Sequence, residues 1–170
     1  MGTKSMKVQA SQETAVQAYV RLIRTAEALH VRVSRGLIAE GLTASQFSAM
    51  KVLRLHGALP QRDIAKYLLQ SGGNITLVVD NLERDGLAQR VRSIEDRRIV
   101  LVALTSKGET LFDRIYPGHL DRIREAMKPL KGENLEDLLG LLESLGDTGA
   151  NFCTPTTPSE PGQDTLARSN

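Results

Sequence analysis

The chain has 170 residues, of which 41% are hydrophobic and 25% are charged, and its formal net charge at pH 7 is +2. This composition fits one globular domain, and no segment approaches the roughly 20 apolar residues of a membrane helix or contains a signal-peptide core, so we expect a cytoplasmic protein without membrane contact. The single cysteine, Cys153, excludes an internal disulfide, and the wide spacing of the three histidines argues against a metal site, so no metal or cofactor is expected.

Two amphipathic helices are predicted in the first third of the chain. Apolar residues recur at helical spacing from Glu13 to about Glu40, with no intervening proline, which indicates one long helix. Gly41 supplies a stop. Thr43 and Gln46 then form a capping box, so a second helix is predicted to begin there and to continue to His56.

A helix-turn-helix is predicted next. Pro60 is expected to open a short third helix, because its missing N–H costs nothing in a first turn. A break at residues 70–73 precedes a fourth helix from Asn74 to Asp85, which ends at Gly86. Its apolar residues share one face, which is predicted to contact the core: Ile75, Val78, Val79 and Leu82. Two short helices joined by a glycine-containing turn are typical of this motif.

A charged β-hairpin follows the fourth helix. Residues 87–92 are predicted to pair with the apolar run that ends at Leu104, and residues 93–98 form the polar loop between them. The net charge is too small to indicate nucleic-acid binding, but five arginines lie in or beside this hairpin, at positions 84, 90, 92, 97 and 98. Such a local basic stripe is typical of phosphate contact, although an ordinary solvated turn remains the alternative.

The last third of the chain contains two predicted helices and a tail. Thr105 caps a helix that Pro117 should bend. A final helix from Glu133 to Leu145 carries six leucines, which require an apolar partner surface. Residues 146–170 are rich in Thr, Pro, Ser and Gly and are predicted to form a flexible tail, in which Cys153 is an inert thiol.

The outer face of the fourth helix has side chains suited to reading a DNA groove. Asn bonds adenine, Arg bonds guanine or phosphate, and Thr bonds a base or contacts a methyl group. A solvated polar face is the alternative. In the hairpin loop, Asp96 lies two positions before Arg98, so we predict an ion pair that aims the guanidinium into a minor groove; a simple surface salt bridge is again the alternative.

The order of these elements, together with the wing signature of Asp96, Arg98, Leu104 and Thr105, resembles the MarR family of bacterial transcriptional regulators over about residues 14 to 145. The resemblance implies a mostly α-helical fold with a small β-hairpin. A winged helix-turn-helix lobe would span residues 43–104, between dimerisation helices in residues 13–42 and 105–145. Residues 71–80 look nearest to the quinone-responsive branch of the family.

The resemblance also implies a homodimer that reads palindromic double-stranded DNA, frequently as a repressor released by a small phenolic or aromatic ligand or by an oxidant. The hydroperoxide-sensing branch is excluded, because the chain has no cysteine before position 153. Arg98 would enter the minor groove, held by Asp96, while Arg90 and Arg97 would contact phosphates. The residues that would read the major groove are Ser71, Gly73, Asn74, Thr76, Leu77 and Arg84.

Effectors of this family lodge between the dimer helices and the winged lobe. The residues that this places near the effector are Tyr19, Arg24, His30, Phe47, His56 and His119. Of these, Tyr19, His30, Phe47 and His56 are expected to line the ligand pocket. A structural role for each histidine is the alternative. No nucleophile, base and orienting partner converge in the sequence, so an enzyme is not expected. The rival function is a winged-helix scaffold for protein interactions without DNA readout.

Overall fold

The computed structural model describes the backbone of residues 2–68, 71–94 and 96–146 and the side chains from residue 13 onward. The predicted tail beyond Gly146, with Cys153, lies outside the described residues. The fold class is confirmed as mostly α-helical with a small antiparallel sheet. The elements in chain order are α1 (Gly2–Ile38), α2 (Ala44–His56), β1 (Leu59–Pro60), α3 (Gln61–Tyr67), α4 (Gly72–Arg84), β2 (Ala88–Arg92), β3 (Val100–Leu104), α5 (Ser106–Met127) and α6 (Glu133–Leu145).

The first two helices agree with the sequence pattern except at the start of α1. This helix begins at Gly2 instead of near Glu13, since no proline interrupts the earlier segment and a helix continues without an apolar stripe. It ends before Gly41, whose φ of 74° fits the predicted stop. The capping box is confirmed: Gln46 N–H donates to Thr43 Oγ1 at 3.2 Å, and Thr43 N–H donates to Gln46 Oε1 at 2.9 Å.

Two boundaries in the helix-turn-helix differ from prediction. Pro60 belongs to the edge strand β1 and serves as the N-cap of α3, since an edge strand tolerates a residue without an N–H. Gly72 and Gly73 were expected in a break, but they form the first turn of α4 with Ser71 as N-cap. Glycine is unfavourable mainly in the interior of a helix, and both of these glycines lie in the first turn.

The sheet has the strand order β1-β3-β2, and all pairs are antiparallel. The predicted hairpin is confirmed, with Ala88 opposite Leu104 and Arg92 opposite Val100. Strand β1 adds Leu59 opposite Val102, a pairing too short to show an alternating pattern in the sequence. Strand β3 is therefore the central strand, paired with β2 on one edge and with β1 on the other.

The core of the lobe lies between α2, α3, α4 and the sheet. Its most buried side chains include Met50, Ile64, Ile75, Leu82 and Val102, each at most 1% exposed. An aromatic stack extends this core to α5: the ring centroids of Phe47 and Phe112 lie 5.2 Å apart, and those of Phe112 and Tyr116 lie 5.0 Å apart. Helix α5, which runs through Pro117 without interruption, is thus packed directly on the lobe.

The first and last helices leave much apolar surface exposed. Helix α6 has no buried residue. The exposed large apolar side chains on these two helices include Val16, Tyr19, Val20, Ile23, Leu135, Leu139, Leu141, Leu142 and Leu145. Among the described residues, no helix has the length and hydrophobicity needed to cross a membrane.

Candidate nucleic-acid interface

Helix α4 separates an apolar face from a polar one as the spacing of its residues predicts. Ile75, Val78, Val79 and Leu82 are at most 6% exposed and contact the core. Leu77, on the other side, is 61% exposed. The remaining candidate groove-reading residues are all exposed as well: Ser71, Gly73, Asn74, Thr76 and Arg84. The outer face of α4 is therefore accessible to a ligand along its length.

The start of α4 is open. A Cβ atom added at Gly72 or Gly73 would have no heavy atom within 4 Å, so packing does not require glycine at either position. Ser71 makes no side-chain cap hydrogen bond. The space beside Gly72 and Gly73 at the N-terminus of α4 is therefore open, which suits the approach of a phosphate.

Arg90 of β2 is bound within the lobe. Its Nη2 atom donates to Asp80 Oδ1 at 2.7 Å and to Gln61 Oε1 at 3.1 Å, while Nη1 donates to the Glu83 carboxylate. Burial lowers the pKa of Arg90, but the hydrogen bonds and charges of Asp80 and Glu83 outweigh it, so the pKa is raised. In this arrangement the guanidinium is bound by three side chains of the lobe, and the expected contact of Arg90 with a phosphate stays a prediction.

Gln61 was not singled out in the sequence. Its Nε2 atom donates to Thr76 Oγ1 at 2.5 Å, and Thr76 Oγ1 donates to the Gly72 carbonyl oxygen at 3.0 Å. The side chain therefore joins Arg90 to the outer face of α4. No local pattern could have identified it, because residues 61, 76 and 90 meet only through the packing of three elements.

The loop of the hairpin, the wing, is held by backbone contacts and by Asp96. Ser93 N–H donates to Ile99 O at 2.9 Å, and the Asp96 carboxylate accepts the backbone N–H of Arg98 at 2.9 Å. The prediction of an ion pair between Asp96 and the Arg98 guanidinium is wrong, since among the described residues Asp96 bonds the backbone amide of Arg98. A short aspartate side chain instead reaches the amide two residues on and fixes the turn.

The wing presents two arginines and an apolar tip. Arg97 and Arg98 are exposed, and Ile94 is 99% exposed. Near the end of α4, Arg84 Nε donates to Asp85 Oδ1 at 3.1 Å, yet its side chain remains 69% exposed. The lobe thus offers cationic groups both on the wing and at the end of the polar helix face.

Comparison with known proteins places this lobe in a family. The MarR family model matches residues 42–100, and the chain is 31% identical over 134 residues to the uncharacterized HTH-type transcriptional regulator YkoM of Bacillus subtilis, covering 79% of this chain and 87% of that protein. The chain belongs to the MarR family.

Other members of the MarR family extend the comparison. HTH-type transcriptional regulator MhqR of Bacillus subtilis is 29% identical over 140 residues, which cover 82% of this chain and 97% of that protein. Among solved structures, the S. aureus MepR–DNA complex is 25% identical and superposes with a TM-score of 0.68, covering 75% of this chain and 95% of that one. The MarR fold therefore accounts for most of the described chain.

This MarR-family chain also contains a cavity between the long helices and the lobe. It encloses about 270 Å³ between α1, α2 and α5. Its lining residues are His30, Val33, Ser34, Leu37, Ala44, Phe47, Ser48, Lys51, His119 and Ile123. Of the residues considered from the sequence, His30, Phe47 and His119 line this cavity, and their contact with a ligand stays a prediction.

Tyr19 and His56 do not line this cavity, which corrects the expectation for both. Tyr19 lies on α1, does not line the cavity and is 66% exposed. The His56 ring stacks on Tyr67, with centroids 4.5 Å apart, at the surface of the lobe. Arg24, also considered from the sequence, is not among the residues that line this cavity.

The lining of the cavity contains a basic side chain and an aromatic ring. The described residues that line it include Lys51 and two histidines and no carboxylate. Burial first, and then the charges of Arg122, Lys51 and His30, lower the pKa of His119 to about 4. Its ring lies 4.5 Å from that of Phe47, and its Nδ1 has no hydrogen-bond partner among the described residues. An unpaired nitrogen beside an aromatic wall suits a ring-shaped ligand with an acidic group.

Proposed function

We propose that this MarR-family regulator binds palindromic double-stranded DNA as a homodimer and acts as a repressor that a small aromatic ligand releases. The observation that carries the proposal is the two-sided character of α4, with its apolar face in the core and its polar face accessible beside an arginine-bearing wing. A helix of this kind fits the major groove, and a wing arginine fits the minor groove.

Within this proposal, α4 reads the bases and the wing binds the adjacent groove. Arg98 enters the minor groove, Asp96 holds the turn that presents it, and Arg97 contacts a phosphate. The residues proposed for the major groove are Ser71, Gly73, Asn74, Thr76, Leu77 and Arg84. Support comes from the exposure of each and from the relative MepR, which was solved with DNA.

The homodimer is proposed from the helices outside the lobe. Residues 13–42 and 105–145 would form the dimer interface, and residues 43–104 the DNA-binding lobe. Helix α6 has no buried residue, and Leu139, Leu141 and Leu145 are 58–73% exposed. Soluble monomers rarely leave so large an apolar surface uncovered. A two-fold dimer would present two lobes to the two halves of a palindrome.

The ligand is proposed to occupy the cavity between α1, α2 and α5. Its volume of about 270 Å³ suits a single-ring molecule. Lys51 and Arg122 supply positive charge near His119, which favours a phenolate or carboxylate. Because the cavity lies between the proposed dimer helices and the lobe, a ligand that binds one relative orientation better than another shifts the spacing of the two lobes. The resemblance of residues 71–80 to the quinone-responsive branch of the family also favours an aromatic effector.

The first experiment selects bound DNA from a random pool and measures the affinity of the selected site across salt concentrations. We expect a palindrome whose binding weakens steeply as salt rises. Arg98→Ala should weaken binding by about 1–3 kcal/mol, or roughly 5- to 150-fold, because a specific groove contact is lost.

Arg54→Ala is the control, since Arg54 is an exposed arginine of α2 paired with Asp113 and belongs neither to the proposed DNA contacts nor to the helices of the proposed dimer interface. It should bind DNA as the unmodified protein does. If no salt-sensitive complex forms with any selected DNA, the proposal is overturned in favour of a protein-interaction scaffold.

A further inference from the structure

A continuous chain of hydrogen bonds runs from β2 through α3 to the DNA-facing side of α4. Arg90 donates to Gln61 Oε1 at 3.1 Å, Gln61 donates to Thr76 Oγ1 at 2.5 Å, and Thr76 donates to the Gly72 carbonyl oxygen at 3.0 Å. We call these four residues the Arg90 relay. It connects a strand of the wing with a residue proposed to read bases.

The direction of every hydrogen bond in the Arg90 relay follows from its first member. A guanidinium has donors only, so it requires the oxygen of the Gln61 amide and turns the NH₂ group toward Thr76. The Thr76 oxygen therefore accepts, and its one hydroxyl hydrogen is left for the Gly72 carbonyl. The Gln61 N–H thus keeps the hydroxyl hydrogen from pointing at Gln61, and the Gly72 carbonyl oxygen accepts it at 3.0 Å.

Two carboxylates keep Arg90 in place. Asp80 Oδ1 accepts from its guanidinium at 2.7 Å, and Glu83 accepts both from the guanidinium and, at 2.7 Å, from the Arg90 backbone N–H. The Arg90 side chain is 30% exposed, against 69% for Arg84 on the same lobe. Arg90 thus has its charge compensated and its geometry fixed from three sides.

We propose that Arg90 and Gln61 are positioning residues for base recognition, which commit the hydroxyl hydrogen of Thr76 to Gly72 so that Thr76 meets a base as an acceptor and a methyl group. This inference rests on the proposed DNA-binding function. Cytosine and adenine offer amino donors in the major groove, and thymine offers a methyl group, whereas guanine offers acceptors only. Thr76 therefore discriminates against guanine at the position that it contacts.

The test compares base preferences, selected from random DNA, for the unmodified protein, Gln61→Leu and Arg90→Lys. Lysine keeps the positive charge but lacks the planar fork that reaches Gln61 and both carboxylates. Each variant removes or loosens the Gln61 N–H that holds Thr76 in the rotamer bonded to Gly72, so the hydroxyl can turn and donate to a base. We therefore expect the rejection of guanine at one position to fall by about 3- to 10-fold, the worth of one neutral hydrogen bond.

Thr76→Val shows whether the effect passes through Thr76. Valine keeps a methyl group and has no donor, so this variant should continue to reject guanine. In the Thr76→Val background, Arg90→Lys and Gln61→Leu should cause no further change in base preference. A change that persists in that background would overturn the relay, because Arg90 would then act by another route.

Arg54→Lys is the matched control. Arg54 also forms a two-bond ion pair, with Asp113 at 3.1 and 3.2 Å, but it links α2 to α5. It should leave the base preference unchanged, which separates the relay from a general loss of stability. Thermal unfolding followed by circular dichroism identifies any variant that fails to fold.

A measurement without DNA keeps the inference testable if a variant binds poorly. The side-chain amide resonances of Gln61 should move in the spectrum of Arg90→Lys and stay unchanged in that of Arg54→Lys. Unchanged preferences in both relay variants overturn the inference alone. An Arg90→Gln variant whose salt slope falls by about 1 would instead assign Arg90 to a phosphate. Failure of the unmodified protein to bind any DNA overturns the proposed function and this inference together.

Discussion

At the scale of single residues, the structure assigns different tasks to side chains of the same type. Arg90 is enclosed by two carboxylates and Gln61, whereas Arg98, eight positions along, is exposed with only its backbone amide held by Asp96. The polar environment of each arginine, and not its place in a basic stripe, therefore decides which phosphates or bases it can reach.

Gly108 is required where α5 meets the end of the hairpin. A Cβ atom at this position would lie 2.0 Å from the Leu87 carbonyl oxygen, so backbone would have to move. We expect Gly108→Ala to lower the free energy of unfolding by about 1–3 kcal/mol in a urea titration. Gly72→Ala at the start of α4 is the matched control, since its Cβ meets nothing within 4 Å and it lies outside the proposed dimer interface, so it should stabilise or leave stability unchanged. Equal losses in the two variants would contradict this account.

His119 should make stability depend on pH. Burial first, and then the charges of Arg122, Lys51 and His30, lower its pKa in the folded state to about 4 from the ordinary 6.5. The unfolded chain therefore binds the proton more readily, so the contribution of His119 to stability is complete above pH 6.5 and is lost as pH falls toward 4.

We expect the free energy of unfolding to fall between about pH 6.5 and about pH 4 by on the order of 1 kcal/mol more than in His119→Gln, because water still screens the half-buried ring. Urea titrations at several pH values measure this difference. His56→Gln, which alters a surface ring stacked on Tyr67, is the control. A His119→Gln variant with the same pH profile as the unmodified protein would exclude this cause.

At the scale of elements, caps and glycines account for the helix boundaries. Thr43 and Gln46 form a complete capping box at α2, whereas Ser71 at α4 makes no side-chain cap hydrogen bond. Removal of the first cap is thus expected to weaken the fold, and removal of the second side chain is not.

Thr43→Ala should reduce the free energy of unfolding by about 1 kcal/mol, because a first-turn amide of α2 loses its acceptor. Ser71→Ala is the matched control and should change stability by only a few tenths of a kcal/mol, although it removes a proposed DNA contact. Urea titrations at one protein concentration compare the two. The interpretation fails if Ser71→Ala destabilises as much as Thr43→Ala.

The sequence predicts most of the elements because their signals are local. The capping box, the apolar face of α4 and the hairpin are each determined by residues a few positions apart. Strand β1 depends on pairing with the distant β3, so it was missed. Gly72 and Gly73 lie in the first turn of α4 although their composition indicated a break. The Arg90 relay and the cavity of His119 combine three elements each, and no periodicity reports such distant neighbours.

At the scale of the whole molecule, the apolar residues of the described chain are buried in the lobe and exposed on the outer helices. The lobe has an aromatic and aliphatic core shared with α5, whereas α6 and the first part of α1 expose theirs. A second copy of the chain would cover these faces and, by two-fold symmetry, would set the distance between two α4 helices. Dimerisation and DNA binding are therefore expected to fail together.

A charge on the exposed face of α6 tests this coupling. Leu139 is 58% exposed and Leu142 is 40% exposed, so Leu139→Asp with Leu142→Asp should not disturb the lobe, but it would bury two carboxylates in the proposed interface. We expect this double variant to sediment as a monomer at concentrations at which the unmodified protein is a dimer. Its affinity for the selected palindrome should fall by at least about 100-fold, because one lobe then binds one half-site alone.

Leu55→Asp is the control for this double variant. Leu55 is exposed to a similar degree, 42%, but it lies on α2 within the lobe. It should remain a dimer and bind the palindrome. A double variant that still sediments as a dimer would show that α6 is not in the interface. A monomer with unchanged affinity would separate DNA binding from dimerisation, and the palindrome would then require another explanation.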